Sequence, residues 1–93
     1  MSARTPFHLL PPQTQAGILC TEVQFQDFAA LESGFPSGFF GETAAAEYLR
    51  QYCGIDSRRE LETNKQARRK LSVLRTEYDA WRGAIPRPPE APT

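Results

Sequence analysis

Apolar residues recur at Ala67, Leu71, Leu74, Tyr78 and Trp81, at spacings of four, three, four and three. In an α-helix that repeat places all five side chains on one face. The last third of the chain is therefore predicted to be a long helix with one committed packing face. Extending the stripe backward calls for apolar residues at positions 64 and 60, where the chain has Asn64 and Glu60, and Leu61 is out of phase with Ala67. The pattern breaks near Thr63. There Thr63-Asn-Lys-Gln66 reads as a capping box opening the long helix, and Ser57-Arg-Arg-Glu60 reads as another, opening a short helix that holds Leu61. Gly83 ends the long helix and Pro86 prevents its return.

Further upstream, Ala45, Tyr48, Leu49 and Tyr52 supply one face of a helix that opens at Glu42 or Thr43 and closes near Cys53. Ala44, Ala45 and Ala46 favour helix, and Gly54 stands where a left-handed cap is wanted. Thr21-x-x-Gln24 predicts the start of another helix over 22–33, with Phe25, Phe28 and Leu31 on one face and Gly34 as its stop. A strand over 18–25 is the rival, since Val23 and Phe25 alternate with Glu22 and Gln24. Ala29, Ala30 and Leu31 favour the helix, and no strand partner is visible.

Between these helices, Phe35-Pro-Ser-Gly-Phe39-Phe40-Gly41 is a loop by its proline and glycine content. Its three phenylalanines either plug the top of the core or form an exposed contact surface. Residues 1–15 hold three of the eight prolines and read as an extended arm, laid on the body through Phe7, Leu9 and Leu10. Residues 84–93 hold four prolines and read as a disordered tail that matches P-x-x-P twice. The expected architecture is a small single all-α domain of three to four helices over 16–83, with an aromatic Pro/Gly loop and mobile N- and C-terminal segments.

A chain of 93 residues buries only about 60–65% of the surface its unfolded form exposes, so the core is thin and the aromatic rings matter to it. Charged residues at 24% and hydrophobic ones at 40% exclude both a disordered and a membranous chain. Formal net charge is zero, which argues against a polyelectrolyte binder. The distribution is uneven. Glu22, Asp27, Glu32, Glu42 and Glu47 precede Arg50, whereas Arg58, Arg59, Lys65, Arg68, Arg69, Lys70 and Arg75 follow it. Either the two halves complement each other, or the basic segment faces an anionic partner.

Candidate chemistry is sparse. His8 is the sole histidine, and with Cys20 and Cys53 it forms no recognisable zinc spacing. Gly34, Gly38 and Gly41 lack the Lys and Ser/Thr of a phosphate loop. No metal, cofactor or catalytic residue is expected, and the two cysteines read as reduced, buried thiols of a cytoplasmic protein. No apolar run approaches a membrane span.

Tyr48-Leu-Arg-Gln-Tyr-Cys-Gly54-Ile-Asp-Ser57-Arg-Arg resembles a helix-turn-helix pair: helix, glycine turn, polar cap, basic helix start. The resemblance implies nucleic-acid binding through Arg58, Arg59, Lys65, Arg68 and Arg69. Arg50, where that motif has a small residue, departs from it. The chain's general style is similar to that of short proteins of bacterial phages and mobile elements. That similarity belongs to the whole chain, assigns no site residue, and implies a regulator that works by binding. The expected function is a non-enzymatic binding or regulatory module that contacts a protein partner through Phe35, Phe39, Phe40 and Trp81, as a monomer or homodimer. The nucleic-acid reading is the alternative.

Overall fold

A computed structural model describes residues 9–83. The expectations for residues 1–8 and 84–93, including Phe7, His8 and the P-x-x-P matches, lie outside the described residues. Within them the chain forms α1 (Pro12–Thr21), α2 (Val23–Glu32), α3 (Glu42–Cys53), a 3-10 segment (Arg58–Glu62) and α4 (Lys65–Trp81). The domain is all-α, as its periodicity predicts.

The extended arm over 1–15 is corrected at its C-terminal end, because residues 12–15 are the first turn of α1. Pro11 is extended at φ −55°, ψ 144°, but Pro12 occupies the first helical position. There a missing N–H costs nothing and the ring's fixed φ suits the helix. The box at Thr21 is corrected too. The Thr21 hydroxyl donates to the Ile18 carbonyl at 2.7 Å and so belongs to the end of α1. Glu22 alone separates α1 from α2, with extended backbone at φ −79°, ψ 126°. No strand forms among the described residues. In α2 the buried face is Phe25, Phe28, Ala29 and Ala30. Leu31 is 46% exposed, because at 100° per residue it has turned beyond Phe28.

α3 ends as expected. Gly54 adopts the left-handed conformation at φ 73°, and the Ile55 and Gly54 N–H groups donate to the Arg50 and Gln51 carbonyls at 2.9 and 3.2 Å. That pairing closes the last turn as a left-handed glycine cap does. The Ser57 box also forms: Ser57 Oγ accepts from the Arg59 N–H at 3.2 Å, and Glu60 Oε2 accepts from the Ser57 N–H at 2.9 Å. The helix break falls where the stripe places it, but the cap of α4 is Asn64, whose Oδ1 accepts from the Ala67 N–H at 3.0 Å. The Thr63 hydroxyl instead donates back to the Glu60 carbonyl at 3.4 Å. Asn64→Ala is therefore expected to destabilise the fold by about 0.5–2 kcal/mol, and Thr63→Ala by clearly less. Thermal denaturation of both variants checks this, and the reverse order would return the cap to Thr63.

Four stripe residues of α4, Ala67, Leu71, Leu74 and Tyr78, are buried. They meet α3, against which α1 and α2 also pack, while the 3-10 segment closes the far side against α1 and α4. Phe25, Phe28, Leu49, Leu61 and Cys20 fill the centre. Polar ties cross this core at its edge. The Tyr78 hydroxyl donates to Glu22 Oε1 at 2.8 Å, and Arg75 Nη1 donates to Gln15 Oε1 at 3.1 Å. Both cysteines are free and buried. No helix among the described residues is long and apolar enough to cross a membrane.

Candidate functional site

The loop after α2 is shaped by short hydrogen bonds. The Phe35 N–H donates to the Ala30 carbonyl at 2.8 Å and the Phe39 N–H to the Pro36 carbonyl at 3.2 Å. Gly38 turns the chain at φ 84°, a conformation a Cβ disfavours, and its N–H donates to Asp27 Oδ1 at 2.7 Å. The Asp27 carboxylate on α2 thus fixes the loop from beneath.

This shape leaves the three phenylalanines with one another rather than with the core. Phe35 and Phe39 stack at 4.8 Å with 10° between their planes, and Phe40 lies 5.6 Å from Phe35 and 6.5 Å from Phe39. Phe35 is 41% and Phe39 63% exposed, and Phe40 is half-buried. The plug reading is corrected, since none of the three belongs to the buried core.

Behind the loop lies an open groove of about 340 Å³, lined by Ser33, Phe35, Phe40, Ala44, Glu47, Tyr48 and Gln51. The four α3 residues follow helical spacing, so one face of that helix forms the groove wall. Tyr48 also packs edge-on against Phe28 at 6.4 Å and joins groove to core. Burial, followed by Glu32, Tyr52 and Glu77, pushes the Tyr48 hydroxyl up to about 12. Burial and the nearby Glu77 carboxylate raise Tyr52 as well. Both phenols stay neutral at physiological pH and sit among carboxylates.

Trp81 is 38% exposed and packs on Phe28 at 5.5 Å and Tyr78 at 6.4 Å. It has no ring contact with the Phe35 loop; Phe28 and Tyr48 stand between them. Arg82 lies over the Tyr78 ring at 5.2 Å and pairs with Asp79 at 3.0 Å.

The basic residues divide into two groups. Arg58 turns back onto α1, where a Cβ at Gly17 would lie 3.6 Å from its Nη1, and its charge acts on the Cys20 thiol. Burial nevertheless raises that thiol, against the pull of Arg58. Burial pushes the Cys53 thiol up to about 11, so neither cysteine is a ready thiolate. Arg68 Nη1 donates to the Glu62 carbonyl at 3.0 Å. Arg59, Lys65 and Arg69 are exposed. The second helix of the helix-turn-helix resemblance is a five-residue 3-10 segment.

No group of three His, Cys, Asp or Glu side chains among the described residues is arranged to hold a metal ion. Sequence reading missed the groove residues Ser33, Ala44, Glu47 and Gln51. For Ala44, Glu47 and Gln51 the signal is the helical register they share with Tyr48; Ser33, at the end of α2, has none. Comparisons with protein-family models, with curated proteins and with solved structures find no match to this chain.

Proposed function

We propose that this chain is a small non-enzymatic module that works by binding another protein, with the Phe35, Phe39 and Phe40 loop as its main contact and Trp81 as a second anchor. The observation that supports this reading most is the stacked Phe35–Phe39 pair, held outside the core at 41% and 63% exposure. Rings left in water lower the free energy when a partner covers them, and aromatic anchors of this kind dominate protein interfaces. The loop is pinned by Asp27, so little ordering entropy opposes docking. The reading includes a regulatory role in the cytoplasm, as a monomer or homodimer.

Nucleic-acid binding through Arg58, Arg59, Lys65, Arg68 and Arg69 is less well supported. Arg58 lies against α1 at Gly17, Arg68 donates to the Glu62 carbonyl, and a five-residue segment is too short to lie in a groove as a recognition helix does.

The test uses two variants with exposed substitutions: Phe35→Ser with Phe39→Ser, and Arg59→Gln with Lys65→Gln and Arg69→Gln. Wild type is expected to capture a nuclease-resistant partner from host lysate. The phenylalanine variant should lose it while keeping its melting temperature, and the basic variant should retain it. Binding of mixed-sequence DNA or RNA that falls steeply with salt, and is lost in the basic variant, would overturn the order of the two readings.

A further inference from the structure

We propose that the groove between the Phe35 loop and α3 receives an arginine side chain from a basic segment of the protein partner, with its guanidinium over the rings and facing Glu47. The proposal rests on the protein-binding reading and adds the chemistry of the occupant. Three rings, Phe35, Phe40 and Tyr48, line the groove, and among the described residues Glu47 is the charged one in its wall. A volume of about 340 Å³ lies near the lower end for ligand pockets and is ample for one long side chain. A purely apolar anchor would displace water from the exposed Glu47 carboxylate and the Ser33 and Gln51 polar groups beside it without replacing its hydrogen bonds, whereas a guanidinium supplies donors. Gln51 Nε2 donates to Glu47 Oε1 in a long bond of 3.4 Å.

The surroundings carry the same sign. Glu32 of α2 and Glu77 of α4 both act on Tyr48 and Tyr52, so with Glu47 carboxylates from three helices lie toward this face. An arginine fits this chemistry better than a lysine. Its planar guanidinium stacks on ring faces, loses less hydration, and offers several donors to a carboxylate. The same pairing stands elsewhere in the protein, with Arg82 over Tyr78 and bonded to Asp79.

The probe is the blocked tripeptide Ac-Ala-Arg-Ala-NH2, with its citrulline counterpart as the neutral isostere. Both are titrated into the full chain and followed by amide and aromatic NMR shifts. The arginine peptide is expected to give saturable shifts at Phe35, Phe40, Ala44 and Tyr48. The citrulline peptide should bind more weakly by about threefold or more. Glu47→Gln, an exposed substitution, should erase that preference without moving the melting temperature, and Phe40→Leu should weaken the arginine peptide while keeping apolar volume. Equal shifts from the two peptides, or shifts centred elsewhere, overturn the proposal. So does a groove already filled in the free protein. Concentration-dependent self-association abolished by Glu47→Gln would assign it to a second copy, and groove shifts on Arg87→Gln would assign it to the chain's own C-terminal segment. Partner capture that survives Glu47→Gln but is lost in the Phe35/Phe39 variant sinks the arginine and leaves the binding module standing.

Discussion

Phe28→Ala is expected to be the most damaging single substitution in this chain, at about 3–5 kcal/mol. Phe28 is 1% exposed, and its ring meets Phe25 at 6.1 Å, Tyr48 at 6.4 Å, Tyr78 at 5.6 Å and Trp81 at 5.5 Å. Those rings come from α2, α3 and α4, so no one helix can shift to fill the void. A domain of this size has about 5–14 kcal/mol in all, and the variant should be substantially unfolded at 37 °C. Urea denaturation measures the loss. A change below about 1 kcal/mol, the size of an ordinary surface effect or little more, would mean that α2 does not cover the core with this face.

Leu74→Ala is the second large effect, at about 2–5 kcal/mol. Leu74 is fully buried at the middle of the α4 stripe, and its neighbour Val73 is 50% exposed. Val73→Ala therefore serves as the matched control and should stay within about 0.5 kcal/mol. The pair reads the phase of the helix directly. Equal losses at the two positions would show that the stripe does not face the core, and the packing of α4 on α3 would fail with it.

What the sequence discloses follows from how local each signal is. The α4 stripe, the Ser57 box and the Gly54 cap depend on residues within a turn of one another, and all three are legible. Asn64 and Thr63 are adjacent residues of similar capping ability. The pattern Thr63-x-x-Gln66 points to the wrong one, because the 3-10 segment draws Thr63 into its own last turn. α1 has no stripe to read: its buried residues are Gln15, Ala16, Leu19 and Cys20, and two of these four are too small or too polar to mark a face. The groove is the least legible feature. It lies between a loop and a helix face, and the exposure of Phe35 and Phe39 is settled by the Asp27–Gly38 bond, which no composition or period encodes.

The bend at Glu22 has a consequence for how the molecule is made. One residue joins α1 to α2, and no side chain caps α2 there. What holds the Glu22 carboxylate is the Tyr78 hydroxyl, 56 residues later, and the Gln15–Arg75 tie spans 60. Helices form in about 0.1–1 μs, but contacts this distant in sequence must close the whole intervening chain first. During synthesis from the N-terminus, Phe25 and Phe28 leave the ribosome before Tyr78 and Trp81, the α4 rings that pack on them. The Gln26 side chain donates across the bend to the Cys20 carbonyl at 3.0 Å and α3 packs on both helices, but the two polar ties to α4 lock the bend only when the last helix has been translated and docks.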